Sequence, residues 1–235
     1  CIERTKRLQG RMKDQGIAKA VFTDESSIAY LAGFWGYLGI EFGRPTMLVV
    51  SAEDDPIVVT PLMESEMVGE MTWVKDIITW EDFGERSWGR ALTTALGAKP
   101  SEIWIERNHI PAIVRNFIDE AFKGVPLKDI SPVLGAQRMI KSPLEISVMK
   151  QAGEVAGAMM KAAHGSLAIG TREFESALAV IDAGSRKAAD FLTAKGWERF
   201  VSPMDVAADV SNLSPREVTF ARSGRKLTWK PQEGS

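Results

Sequence analysis

Cysteine is nearly absent from this chain: Cys1 is the only one among 235 residues. A lone thiol cannot close an internal disulfide, and no Cys/His cluster is present to form a thiolate zinc site, so a reducing, cytoplasmic setting fits. Cys1 sits at a terminus with no histidine near it in sequence, which disfavours a nucleophilic role. No apolar run approaches the roughly 18–20 residues of a membrane span. The opening residues, Cys1 to Gln15, are a charged helical segment rather than a secretory signal. An excess of one charge is also missing. The 29 basic and 31 acidic residues leave a formal charge of -2 and are mixed along the chain, so no field gathers nucleic acid or an anionic membrane. Nor is there a phosphate-cradling glycine loop. Gly33, Gly36, Gly39 and Gly43 run through an aromatic segment without a strand-turn-helix setting and read as loop hinges. The first residue is Cys rather than Met, from which we expect a trimmed or partial chain.

What is present is enough apolar surface for a packed core, with 45% hydrophobic and 26% charged residues, and no compositional sign of global disorder. The length fits a medium domain plus part of another. Ile2, Leu8 and Met12 give one buried stripe on an amphipathic helix that ends before Gly16. Ala18 to Phe22 reads as a buried strand, and Glu25 to Leu31 as a short helix closed by Gly33. Met47 to Val50 and Ile57 to Val59 predict a hairpin across the turn-rich Glu53-Asp54-Asp55-Pro56. A helix after Pro61, a strand at Trp73 to Ile78, a helix at Ser87 to Leu96, a strand at Ile103 to Ile105 and a helix at Ile110 to Phe122 follow. This alternation predicts an α/β layer structure, a mixed sheet flanked by helices. Trp73, Trp80, Trp88 and Trp104 read as core or subunit-contact residues, because no basic residues interleave them as a nucleic-acid stacking platform would require.

A short extended piece at Leu127 to Pro132 ends the first domain, residues 1–132, and a linking helix covers 133–141. At Ser142-Pro143-Leu144-Glu145 the signal for a helix start is strong: a serine cap, proline at the first helical position and glutamate placed to reach back. Leu144, Val148, Ala152, Val155, Ala156, Met159 and Ala163 then recur at helical spacing. A second helix after Gly170-Thr171 has Phe174, Leu178, Ile181 and Phe191 as core candidates. Together they predict a helical hairpin over 142–200, whose apolar stripe needs a sheet to pack on. Residues 201–235 show no sustained period and are expected to be irregular.

Three sets of residues carry a resemblance. Arg4, Leu8, Met12 and Gly16, with Thr23-Asp24, Ile28, Tyr30-Leu31 and Gly33-Phe34, are similar to the opening of creatinase and prolidase amino-terminal domains. Arg138-Met139-Ile140-Lys141-Ser142-Pro143-Leu144-Glu145-Ile146, with Met149 and Ala152, resembles the junction to the catalytic "pita-bread" domain of that family. Gly170-Thr171-Arg172-Glu173 resembles the turn between the first two helices of that domain. The resemblance implies the amino-terminal part of a homodimeric C–N hydrolase, followed by the opening helices of an incomplete catalytic α+β domain. Glu41-Phe42-Gly43-Arg44 further resembles a creatinase loop supplied by the neighbouring subunit, which makes Phe42 and Arg44 the substrate-binding candidates. A guanidinium suits a substrate carboxylate, since its planar fork gives two parallel hydrogen bonds. The alternative remains open that Arg44 is a solvated loop residue and Phe42 a core anchor.

By the same resemblance, peptidase relatives use two divalent metals held by two Asp, one His and two Glu, and creatinase uses no metal and relies on a His as acid/base. We expect neither set of catalytic residues, no metal and no cofactor in this chain, and hydrolysis of a small amidine, amino-acid or Xaa-Pro substrate only by a longer product. Asp205 and Asp209 lack partners for a hard-metal cage and read as solvated. His109 reads as a helix-start residue that caps the helix or faces water, and His164 as a cation near a helix carboxyl end. The competing reading is a non-catalytic module acting by self-association or scaffolding.

Overall fold

A computed structural model describes residues 1–36, 38, 43–82, 87–97, 100–194, 217–219 and 226–228. The chain forms two compact units, Cys1–Ile140 and Lys141–Ser235. Helix α1 (Ile2–Asp14) buries Thr5, Leu8 and Met12. Ile2, expected on that stripe, is 49% exposed at the helix tip. Thr5 takes the inner position, its hydroxyl donating to the Leu31 carbonyl at 3.0 Å. Strand β1 (Lys19–Phe22) follows. Helix α2 (Glu25–Ala32) starts on the Asp24 cap and ends at Gly33, whose φ of 86° is the left-handed geometry that a side chain would strain.

Strands β2 (Met47–Ser51) and β3 (Ile57–Pro61) pair antiparallel, the hairpin expected from the Asp-Pro turn. A 3-10 turn at Leu62–Glu64 leads into α3 (Ser65–Met71). Strand β4 (Asp76–Trp80) lies later than the Trp73 to Ile78 expected. The reason is tertiary: β4 runs parallel to β3 in a register from Ile57 opposite Asp76 to Pro61 opposite Trp80. Trp73 is left outside the ladder, donating its indole N–H to the Leu31 carbonyl at 2.8 Å. Helix α4 (Trp88–Leu96), β5 (Ile103–Ile105), α5 (Ala112–Ala121), β6 (Leu127–Asp129) and α6 (Ser131–Met139) complete the unit.

The sheet order is β4-β3-β2-β1-β5-β6. β1 is antiparallel to β2 but parallel to β5. Alternation along each strand feeds two cores. Ala20, Phe22, Leu48, Val50 and Val58 face α1, α2 and α6 on one side. Val21, Val49, Val59, Ile103 and Ile105 face α4 and α5 on the other. Trp80 is fully inside, while Trp73, Trp88 and Trp104 pack at core margins. Helix α6, read as a linker, buries Val133, Leu134 and Gln137. The Gln137 amide donates to the Arg4 carbonyl at 2.9 Å.

In the second unit, α7 (Pro143–Ser166) opens on the expected capping box. The Ser142 hydroxyl accepts from the Glu145 amide, and the Glu145 carboxylate accepts from the Ser142 amide. Helix α8 (Glu173–Ala194) runs back along it as a hairpin. Gly184 lies against Met159, where a Cβ would meet the sulfur at 2.9 Å, and Lys187 pairs with Glu154 at 3.5 Å. Two short strands, β7 (Glu217–Thr219) and β8 (Lys226–Thr228), pair antiparallel within the stretch read as irregular.

Candidate functional site

Arg44 lies in the segment leading into β2, its amide donating to the Leu38 carbonyl at 3.1 Å. Its guanidinium pairs with the Asp82 carboxylate at 2.6 Å and contacts the Met63 sulfur at 3.0 Å. The side chain stays 35% exposed. Beside this pair lies an open cleft of about 280 Å³ lined by Pro61, Leu62, Met63, Trp80, Glu81 and Asp82. The structure thus places Arg44 at the rim of an apolar shelf with one carboxylate already in hand. Phe42, the second candidate, lies outside the described residues, as do Gly39, Glu41, Asp205 and Asp209.

Two buried carboxylates have no counterpart among the residues singled out from sequence. Glu64, 3% exposed, accepts from the Thr46 hydroxyl at 3.0 Å and from Thr60 at 3.4 Å. Its other oxygen has no hydrogen-bond partner. The Leu38 amide also favours the charged form. Burial outweighs these donors and pushes the Glu64 carboxyl up from 4.5. Glu106, also 3% exposed, accepts from the Thr23 and Asp24 amides at 3.0 and 3.1 Å. Burial raises it as well; the Ser27 hydroxyl and the two amides oppose the rise, and the Asp24 charge adds to it. A signal for Glu106 existed: it directly follows the apolar strand Ile103–Ile105, where an acidic side chain must either reach water or find donors.

His109 stands 59% exposed, its Nδ1 at 3.9 Å from Asp24, and His164 is exposed near the end of α7. Cys1 is exposed, its thiol directed at the Ala29 carbonyl at 3.8 Å. Among the described residues, no group of three or more His, Cys, Asp or Glu side chains could hold a metal ion. The described residues therefore do not fit the cage of two divalent ions that the resemblance attributes to the peptidases. Among the described residues no helix is long and apolar enough to cross a membrane.

A mixed six-stranded sheet sandwiched by helices, followed along the chain by a long helical hairpin, defines the architecture. The model of the creatinase/prolidase N-terminal domain matches residues 4–140, and the chain belongs to that family. It is similar to the creatinase of a Bacillus species, with 26% identity over 178 residues, covering 74% of this chain and 42% of that protein. An uncharacterized hydrolase/peptidase of Sinorhizobium fredii is 26% identical over 194 residues, 77% of this chain and 48% of its own. The chain thus spans less than half the length of these curated relatives. The prolidase structure from Thermococcus sibiricus superposes with a TM-score of 0.66 at 21% identity, over 77% of this chain and 48% of that one. The N-terminal domain of an X-Pro dipeptidase from Streptococcus pyogenes gives 0.51 at 16% identity, over 58% of this chain and 99% of that one. At such identities these structures speak for the fold.

Proposed function

We propose that this chain is the amino-terminal part of a cytoplasmic C–N hydrolase of the creatinase or Xaa-Pro peptidase kind, building a homodimer and roofing an active site whose catalytic residues are not in it. The observation that carries this reading is the family match across residues 4–140, with the match covering less than half the length of the curated relatives. The substrate is a small amidine, amino-acid or Xaa-Pro compound. Phe42 and Arg44 contact it, Arg44 offering a carboxylate the edge of its guanidinium not held by Asp82. The metals of a peptidase, or the histidine of a creatinase, belong to the remainder of a longer product. Nucleic acid and membrane have no part in the reaction.

A second reading, self-association without catalysis, draws on the hairpin, where Leu144, Met149, Met160, Phe174 and Leu178 are each more than half exposed. Two measurements separate them. Reading the coding DNA downstream of codon 200 in all frames is expected to show an Asp, Asp, His, Glu, Glu series or a histidine-centred site; a stop without either favours scaffolding. The purified chain is expected to hold no stoichiometric metal and to release neither amino acid from Xaa-Pro dipeptides nor urea from creatine. Turnover by this chain alone overturns the proposal.

A further inference from the structure

Strands β1 and β5 are parallel neighbours, yet the chain leaves them in opposite directions. After Phe22 it enters α2, which packs with Ile28 and Leu31 on one face of the sheet. After Ile105 it enters α5, which packs with Val114 and Ile118 on the other. Where adjacent parallel strands send their connections to opposite faces, the two loops diverge and open a crevice at the carboxyl ends, the general location of ligands in α/β sheets. Here that crevice exists. It measures about 200 Å³ and is lined by Thr23 and Glu25 after β1, Pro45 and Thr46 before β2, and His109, Pro111 and Ile113 after β5. Taking about 30 Å³ for each water, it holds roughly six waters or one small organic molecule.

Its polar lining is one-sided. The Thr23 hydroxyl donates its proton to the His109 carbonyl at 3.3 Å. The Thr46 hydroxyl donates to Glu64 at 3.0 Å. Both therefore turn only lone pairs to an incoming group. Among the described residues the half-buried Glu25 carboxylate makes no hydrogen bond or ion pair, and it also borders the small adjoining void formed with Ile28, Phe34, Gly36 and Thr46. Three donors at the start of α2 are already taken: the Thr23 and Asp24 amides by Glu106, the Ser27 amide by Asp24. The carboxylates of Asp24, Glu25 and Glu106 cluster there, with the exposed His109 beside them. Arg44, the cation next in sequence to Pro45, is held by Asp82.

We infer that this crevice binds a small primary ammonium compound, its three N–H donors meeting Thr23, Glu25 and Thr46 and its short alkyl stem lying against Pro45, Pro111 and Ile113. A neutral alcohol of the same size brings one donor for three acceptors, and a carboxylate brings charge repulsion and no donor. The inference does not rest on the hydrolase reading, since it uses no catalytic residue and needs no longer chain.

The test is titration of the ¹⁵N-labelled chain with n-propylammonium chloride, with 1-propanol, sodium propionate and matched sodium chloride as comparisons. Amide signals of Thr23, Glu25, Thr46, His109 and Ile113 are expected to shift together and saturate with propylammonium, at an affinity at least about tenfold above propanol or propionate. Glu25→Gln is expected to weaken binding about tenfold, the loss of one hydrogen bond to a charged group. Ile113→Trp, which fills the crevice from a rim position 54% exposed, is expected to abolish it, so a misfolded first variant does not leave the question open. Non-saturating shifts equal to those with sodium chloride, tighter binding of propionate, or unchanged affinity in both variants overturns the inference.

Discussion

Glu106 is held almost wholly out of water at the mouth of the sheet because two backbone amides need an acceptor there. Thr23 and Asp24 leave β1 with N–H groups that no strand can take, and the Glu106 carboxylate takes both. Its raised affinity for a proton, shared with Glu64, fixes the sign of a pH effect. A carboxyl raised above its unfolded value binds more protons in the folded state, so its contribution is greatest at and below the ordinary 4.5 and fades as pH rises through the raised value. We expect the urea midpoint of the first unit to climb as pH is lowered from 7 into that window, before general acid unfolding begins. The double variant Glu64→Gln, Glu106→Gln keeps acceptors for the same donors and is expected to flatten the climb. A midpoint that falls steadily from pH 7 in the parent chain contradicts the assignment.

At the scale of elements, the entry to α7 is set by four consecutive residues and little else. Proline at its first turn gives up no useful N–H, and Ser142 and Glu145 satisfy each other's amides. Ser142→Ala is expected to cost about 1 kcal/mol of local helix stability, read as faster hydrogen exchange at residues 145–147 with the midpoint of α8 unchanged. Because its parts are neighbours along the chain, this start is legible in the amino-acid order alone. Strand β4 is the opposite case. Trp73 to Ile78 carries the right composition, but β3 offers its ladder to Asp76–Trp80, and a partner about twenty residues away sets the register. Arg44 falls between these extremes: its place on a loop is readable, whereas its pairing with Asp82 depends on the sheet, which brings the segments before β2 and after β4 together.

At the scale of the whole molecule, the exposed apolar side chains of the hairpin bear on behaviour in solution. Leu144 is 71% exposed, Met160 70% and Leu178 57%, and exposed apolar side chains that join into a patch favour association. We expect the purified chain to associate, with a mass by light scattering above that of one copy and rising with concentration. Leu144→Glu with Leu178→Glu is expected to return it toward the monomer while leaving the circular dichroism of the helices intact. A clean monomer at all concentrations for the parent chain rules this out.

Local chemistry is what the sequence by itself determined: the alternation of strands and helices, the Gly33 stop of α2, the capping box, and the family, since each depends on residues near one another along the chain or on motifs kept in order. Tertiary structure alone decided which strands are neighbours, where β4 begins, which carboxylates are dry and which guanidinium is paired. The crevice between β1 and β5 belongs to this second group. Its walls come from three segments up to ninety positions apart, joined only because parallel pairing of β1 with β5 sends α2 and α5 to opposite faces of the sheet.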